Sequence, residues 1–253
     1  MKRKILIGTG VVVAILIAVG VFIFTTLDDS TEASVGDVVG DFRAAAQPDS
    51  PARDGLPKQG VYRYNVVGKE RIKSAITVNR DLPLTAPSLV RHTDGGFEVE
   101  TRFSDQHVEL SRYALEPDGA YVTFAVTTIS AGPIKTVRER SWSPRLLRMP
   151  SAAGAKSNAT WGGDFTAGDL KLNVTSRMLP PETIDVGGTP VAVQVAESVQ
   201  VITGEYSGDR TETFWYSPKL GLIVRYKITS SIKGPTDLDF EADQTLVAVD
   251  PEV

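Results

Sequence analysis

A mainly β fold, an antiparallel meander curled into a half-barrel or barrel, is predicted by three features of this 253-residue chain. From about residue 60 onward, apolar residues recur at every second position, the period of a strand with one buried face. The alternating runs are divided by short Gly, Pro and Asp turns, whereas a parallel crossover needs a dozen or more residues. Twenty-nine valines against three methionines favour strands over packed helices.

The chain starts with Lys2, Arg3 and Lys4, and Ile5 to Leu27 then carries no charge. About twenty apolar residues span a bilayer core, and basic residues stay on the cytoplasmic side. Residues 1–27 therefore read as a cytoplasmic tip and a single-pass transmembrane signal-anchor. A cleaved signal peptide would end in a small-x-small site, and Phe22 to Leu27 offers none. The β domain is expected outside the membrane, in the cell envelope. Beyond Leu27 lie 24 basic and 31 acidic residues, a net charge of −7 that argues against nucleic acid as a partner. With no cysteine, disulfides, thiolate chemistry and cysteine-ligated metal are excluded.

Residues 28–59 read as a juxtamembrane segment. Val35, Val38, Val39 and Phe42 fall at helical spacing behind Ser34 as N-cap. Gln47 to Gln59, with three prolines, suits an extended mobile tether. Residues 60–253 form the extracytoplasmic β domain. Phe97 to Phe103 places Phe97, Val99, Thr101 and Phe103 on one face and Glu98, Glu100 and Arg102 on the other. His107 to Leu115, Ala120 to Ile129, Leu170 to Thr175, Val191 to Thr203, Thr211 to Tyr216, Leu222 to Ser230 and Leu238 to Val249 read likewise, giving roughly ten to twelve strands. The apolar face must be hidden by curling, closure or a second layer.

Chemistry-bearing patterns are sparse. His92 and His107 are the only histidines. Asp105 and His107 could share one side of a strand as a metal or acid-base site, but with no further ligand at metal spacing they read as an isolated exposed pair near a hairpin, and no metal or cofactor is expected. Glu98, Glu100 and Glu109 read as the solvated side of a sheet. Glu197 interrupts the row Val191, Val193, Val195, Val199 and Val201; it points inward in a regular strand, toward partners such as Arg225 or Lys227, and outward if a bulge falls near Ala196 to Ser198. The run Lys135 to Arg148 has five cations and one anion around Trp142, either a strand with a solvated basic side or a surface for phosphate headgroups or an anionic envelope polymer. No nucleophile, base and oxyanion arrangement can be assembled, so the chain is not expected to be an enzyme.

TETFWYSPKLGLIVRY, residues 211 to 226, resembles the strand-turn-strand segment of uncharacterised, membrane-anchored, β-rich envelope proteins of actinobacteria. SVGDVVGDFRA and GVYRYNVVGKE resemble their juxtamembrane helix and first strand. The resemblance implies Trp215, Tyr216, Gly221 and Arg225 as fold determinants. More distantly, the architecture is similar to lipoprotein-carrier-type half-barrels, which implies an apolar cavity.

Two functions are expected from this reading. One is a membrane-anchored binding module holding a lipid or other apolar ligand through Phe97, Val99, Phe103, Tyr121, Val193, Val195, Glu197, Phe214 and Tyr226. The alternative is an envelope interaction or assembly protein without a ligand cavity, working through Lys135, Arg138, Arg140, Trp142, Arg145 and Arg148. Protein partners are not specified by either reading.

Overall fold

The structure is a computed structural model that describes residues 31–45, 56–74, 77–131, 134–151 and 158–253. Among the described residues there are one helix, α1 (Val35–Ala44), and thirteen strands. In chain order these are β1 (Gly60–Lys73), β2 (Thr77–Asp81), β3 (Thr85–Thr93), β4 (Gly96–Ser104), β5 (His107–Glu116), β6 (Gly119–Ala131) and β7 (Ile134–Pro150). They continue as β8 (Thr160–Ala167), β9 (Leu170–Val186), β10 (Thr189–Thr203), β11 (Ser207–Ser217), β12 (Leu222–Lys233) and β13 (Asp237–Leu246).

β1 pairs antiparallel with both β2 and β3, each strand from β3 onward pairs antiparallel with the next, and β13 returns to β1 in a register running from Tyr64↔Leu246 to Lys73↔Asp237. The sheet is thus a closed barrel, not a half-barrel. β2 and β3 pair with successive halves of β1, so they act as one stave interrupted around Pro83, which lacks a backbone donor, and the barrel has twelve staves. Closure removes exposed strand edges. The loosest junction is β7 to β8, where Ser143↔Thr166 is the only register pair among the described residues.

Outward faces carry cross-strand ion pairs, including Lys69 with Glu241 (3.5 Å), Arg112 with Glu98 (3.2 Å) and Arg225 with Asp243 (2.7 Å). Such charged pairs differ from the apolar outer band that a barrel embedded in lipid presents.

Helix α1 forms as its spacing predicts, with the Ser34 hydroxyl accepting from the Asp37 N–H. It docks on the outside of the barrel. Val38, Val39 and Phe42 bury against Val61 of β1 and Leu89 of β3, and Asp41 pairs with Arg102 of β4 at 3.0 Å. The end of the expected tether is also part of the fold. His92 contacts the Pro57 carbonyl through Nε2 at 2.8 Å, and the Gln59 side chain accepts from the His92 N–H. The packed unit therefore extends back to Leu56. The remainder of the tether, 47–55, and the apolar run Ile5 to Leu27 lie outside the described residues. Among the described residues no helix is long and apolar enough to cross a membrane.

Candidate functional site

Inside the barrel, two apolar clusters flank a charged layer. The larger is built from residues such as Tyr62, Phe97, Met149, Val193, Phe214 and Leu246, and the smaller from Val122, Leu146, Phe165, Leu172 and Ile202. Burying charge is costly unless each group is paired and hydrogen-bonded, so the layer's connectivity determines what it can do.

At one edge, Glu70 of β1 bonds Arg80 of β2 through one carboxylate oxygen and His107 Nδ1 through the other at 2.8 Å, and all three side chains are buried. Arg80 also donates to the Gln106 side chain and to the Ser130 carbonyl, fixing β2 across the barrel end. Phe103 and Phe240 flank the imidazole with ring centroids 5.1 and 4.9 Å away. His107 Nε2 faces Glu109 Oε1 at 3.6 Å, a charge contact too long for a hydrogen bond. Burial would depress the His107 pKa, but its contacts with Glu109 and Glu70 push it up to about 9. Burial would likewise raise Glu109, yet His107, Arg210 and Arg140 bring it down to about 2. The imidazole is therefore a cation at neutral pH, wedged between two carboxylates.

The layer continues at Glu212 of β11. Its carboxylate accepts from Arg148 of β7, from Gln200 Nε2 (2.7 Å) and from the Tyr226 hydroxyl (2.6 Å), and Arg210 lies 3.6 Å away. These contacts hold the acid below its ordinary range despite burial. Arg148 also lies over the Phe214 ring, 4.7 Å from its centroid. Arg140 differs from its neighbours, because no carboxylate lies within ion-pair distance of it among the described residues. Burial, together with the like charges of Arg210 and Arg138, pushes its pKa down to about 10.

Two cavities meet at this layer and share Glu109, Ser111, Tyr113, Arg148 and Tyr226. One, of about 110 Å³, is walled by apolar and aromatic groups including Tyr64, Phe97, Phe103, Met149 and Tyr216. The other, of about 90 Å³, is bordered by Arg140, Arg210, Gln200 and Glu212 and by Trp142 and Leu172. The Nε atoms of Arg148 and Arg210 have no hydrogen-bond partner.

Of the residues expected to contact an apolar ligand, Phe97, Val99, Phe103 and Tyr226 line the 110 Å³ cavity. Val193, Val195 and Phe214 sit in the core around it. Tyr121 and Glu197 do not face the interior. Ala120 takes the inward position, and the Tyr121 hydroxyl donates to Asp118 while Arg145 covers its ring. Before Glu197, the buried face of β10 changes between Val195 and Ala196, next to the register irregularity with β9 at Val193 to Val195. Ala196, Ser198 and Gln200 turn inward, Val199 and Val201 become exposed, and Glu197 pairs with Arg177 at 2.8 Å. Neither Arg225 nor Lys227 is its partner. Because that pair is exposed, Glu197→Gln is expected to change the unfolding free energy by no more than about 0.5 kcal/mol in urea denaturation.

The basic run is divided between the two faces of the wall. β7 alternates so that Arg138, Arg140, Trp142 and Arg148 face the interior, while Lys135 and Arg145 stay outside. Arg138 is buried, donates to the Thr236 carbonyl and stacks over Tyr206 at 4.4 Å. His107 is likewise buried rather than exposed, and Glu109 lies on the inner rather than the solvated face. Glu70, Arg80, Gln200, Arg210 and Glu212 carried no site expectation at all. No family model, curated protein or solved structure matches this chain.

Proposed function

We propose that this protein is a binding module whose closed barrel takes a small, largely apolar ligand into its interior, held outside the membrane by the apolar run Ile5 to Leu27. The observation that carries the reading is the pair of adjoining cavities beside a few convergent polar groups, the usual composition of a small-molecule site. Their size favours a compact ligand: an apolar cavity of about 150 Å³ takes a benzene ring. An interaction surface on the run 135–148 is disfavoured because three of its arginines are spent inside the barrel.

The test uses the chain's own methionines. Met149 lines the larger cavity, whereas Met178 is buried in the core away from its lining. With ¹³C-methyl methionine in the full chain held in lipid nanodiscs, methyl octanoate is expected to shift the Met149 resonance saturably and Met178 less. A Met149 signal unchanged to the solubility limit would refute the reading.

A further inference from the structure

We propose that the charged layer is the headgroup site of this ligand and that the ligand is a small amphiphile with a single carboxylate; the inference rests on the binding-module reading above. Three arginines, Arg140, Arg148 and Arg210, face two carboxylates, Glu109 and Glu212, leaving one positive charge uncompensated around the 90 Å³ cavity. The His107 cation and Arg80 against Glu70 add a second one at its edge. A buried excess of this kind calls for an anion.

Geometry places that anion. Glu212 occupies Nη1 of Arg148 and the Tyr226 hydroxyl its Nη2, while the Nε–H groups of Arg148 and Arg210 find no partner among the described residues. Arg140 has no carboxylate within ion-pair distance among the described residues, feels Glu109 only from farther away, and stands against two other guanidinium groups. Planar guanidinium groups match a carboxylate well, and the single uncompensated charge around the 90 Å³ cavity itself suits a monoanion better than a phosphate dianion. From a headgroup bound there, the shared wall of Arg148 and Tyr226 leads into the apolar cavity, whose stacked Phe97 and Tyr113 rings (4.9 Å) would flank a short hydrocarbon tail. The two cavities together limit the whole ligand, headgroup included, to about eight carbons.

Four probes titrated against the Met149 signal of the full chain test this: octanoate, methyl octanoate, octylamine and acetate. Octanoate is expected to bind at least about tenfold more tightly than its ester, the increment of a charge-assisted hydrogen bond, with octylamine and acetate weaker still. Arg140→Met should erase the octanoate-to-ester ratio without lowering the melting temperature, because it removes a cation that its neighbours repel. Equal binding of ester and octanoate would overturn the headgroup while leaving the pocket. Equal binding of acetate and octanoate would overturn the tail. A silent Met149 with every probe would remove both the pocket and its headgroup. A ratio preserved in Arg140→Met, or a melting temperature that falls, would overturn the role of Arg140.

Discussion

Replacing Glu70 by glutamine is expected to lower the unfolding free energy by about 3–5 kcal/mol, the cost of removing one partner from a buried ion pair. The side chains of Glu70, Arg80 and His107 are almost wholly inaccessible, so water cannot replace what the carboxylate supplied. Glutamine fills the same space but strands a guanidinium, and its amide can accept from only one of two donors on opposite sides. For a domain of this length, that corresponds to a fall in melting temperature of roughly 6–20 °C in differential scanning calorimetry. A loss below about 1 kcal/mol would mean that the triad is solvated or rearranged.

The companion variant separates the value of pairing from the value of charge. Glu70→Leu, Arg80→Met and His107→Phe together remove all three polar groups and retain much of their volume. Such a replacement is expected to recover most of the loss, because the desolvation cost of the ions disappears along with their attraction. His107→Phe also places an aromatic ring beside Phe103 and Phe240, which already surround the imidazole. If the triple variant is as unstable as Glu70→Gln, the triad contributes through its bridge from Arg80 to Gln106 and Ser130, which ties β2 to the barrel end.

The strand composition of the barrel was legible in the sequence because period-two alternation is local. Phe97 to Phe103 has the inward and outward faces that its pattern predicts. Alternation says which residues share a face but not which face is inside, and it is reset by each bulge. That is why Val199 and Val201 were assigned to the wrong side of β10. It also explains β7, where the basic face is the inner one and Val137 is half exposed. The charged layer was hidden for a different reason: its bonds join residues far apart in the chain, such as Glu70 to His107 and Arg148 to Glu212. A usable signal did exist. Phe214 was expected inside, and Arg210 and Glu212 stand four and two positions before it on an uninterrupted strand, so they had to share its face. The same parity leads from Tyr113 back through Ser111 and Glu109 to His107, although a bulge at Arg112 opposes them on β6.

The pH dependence of stability should expose the same layer from a second direction. His107 is raised from an ordinary 6.5 to about 9, with Glu70 and Glu109 facing it and Arg80 behind Glu70. A raised pKa means that the folded state holds the proton more tightly. Its stabilisation is therefore complete below about pH 6.5 and is lost as pH rises through 9. At about 1.4 kcal/mol per pKa unit, this alkaline limb amounts to about 3 kcal/mol. Glu109, lowered from 4.5 to about 2, works with the opposite sign: its contribution is present above 4.5 and fades as pH falls toward 2. Glu70 and Glu212 are shifted in the same direction as Glu109. Stability from these groups should thus plateau between about pH 4.5 and 6.5. Urea denaturation from pH 4 to 9.5 is expected to show a decline above 6.5 that is largely absent in His107→Gln, whatever the offset between the two proteins. The slope is the decisive reading, because general repulsion within an acidic chain also grows with pH but is common to both. Parallel alkaline limbs would mean that His107 is not the proton-binding group of the folded barrel.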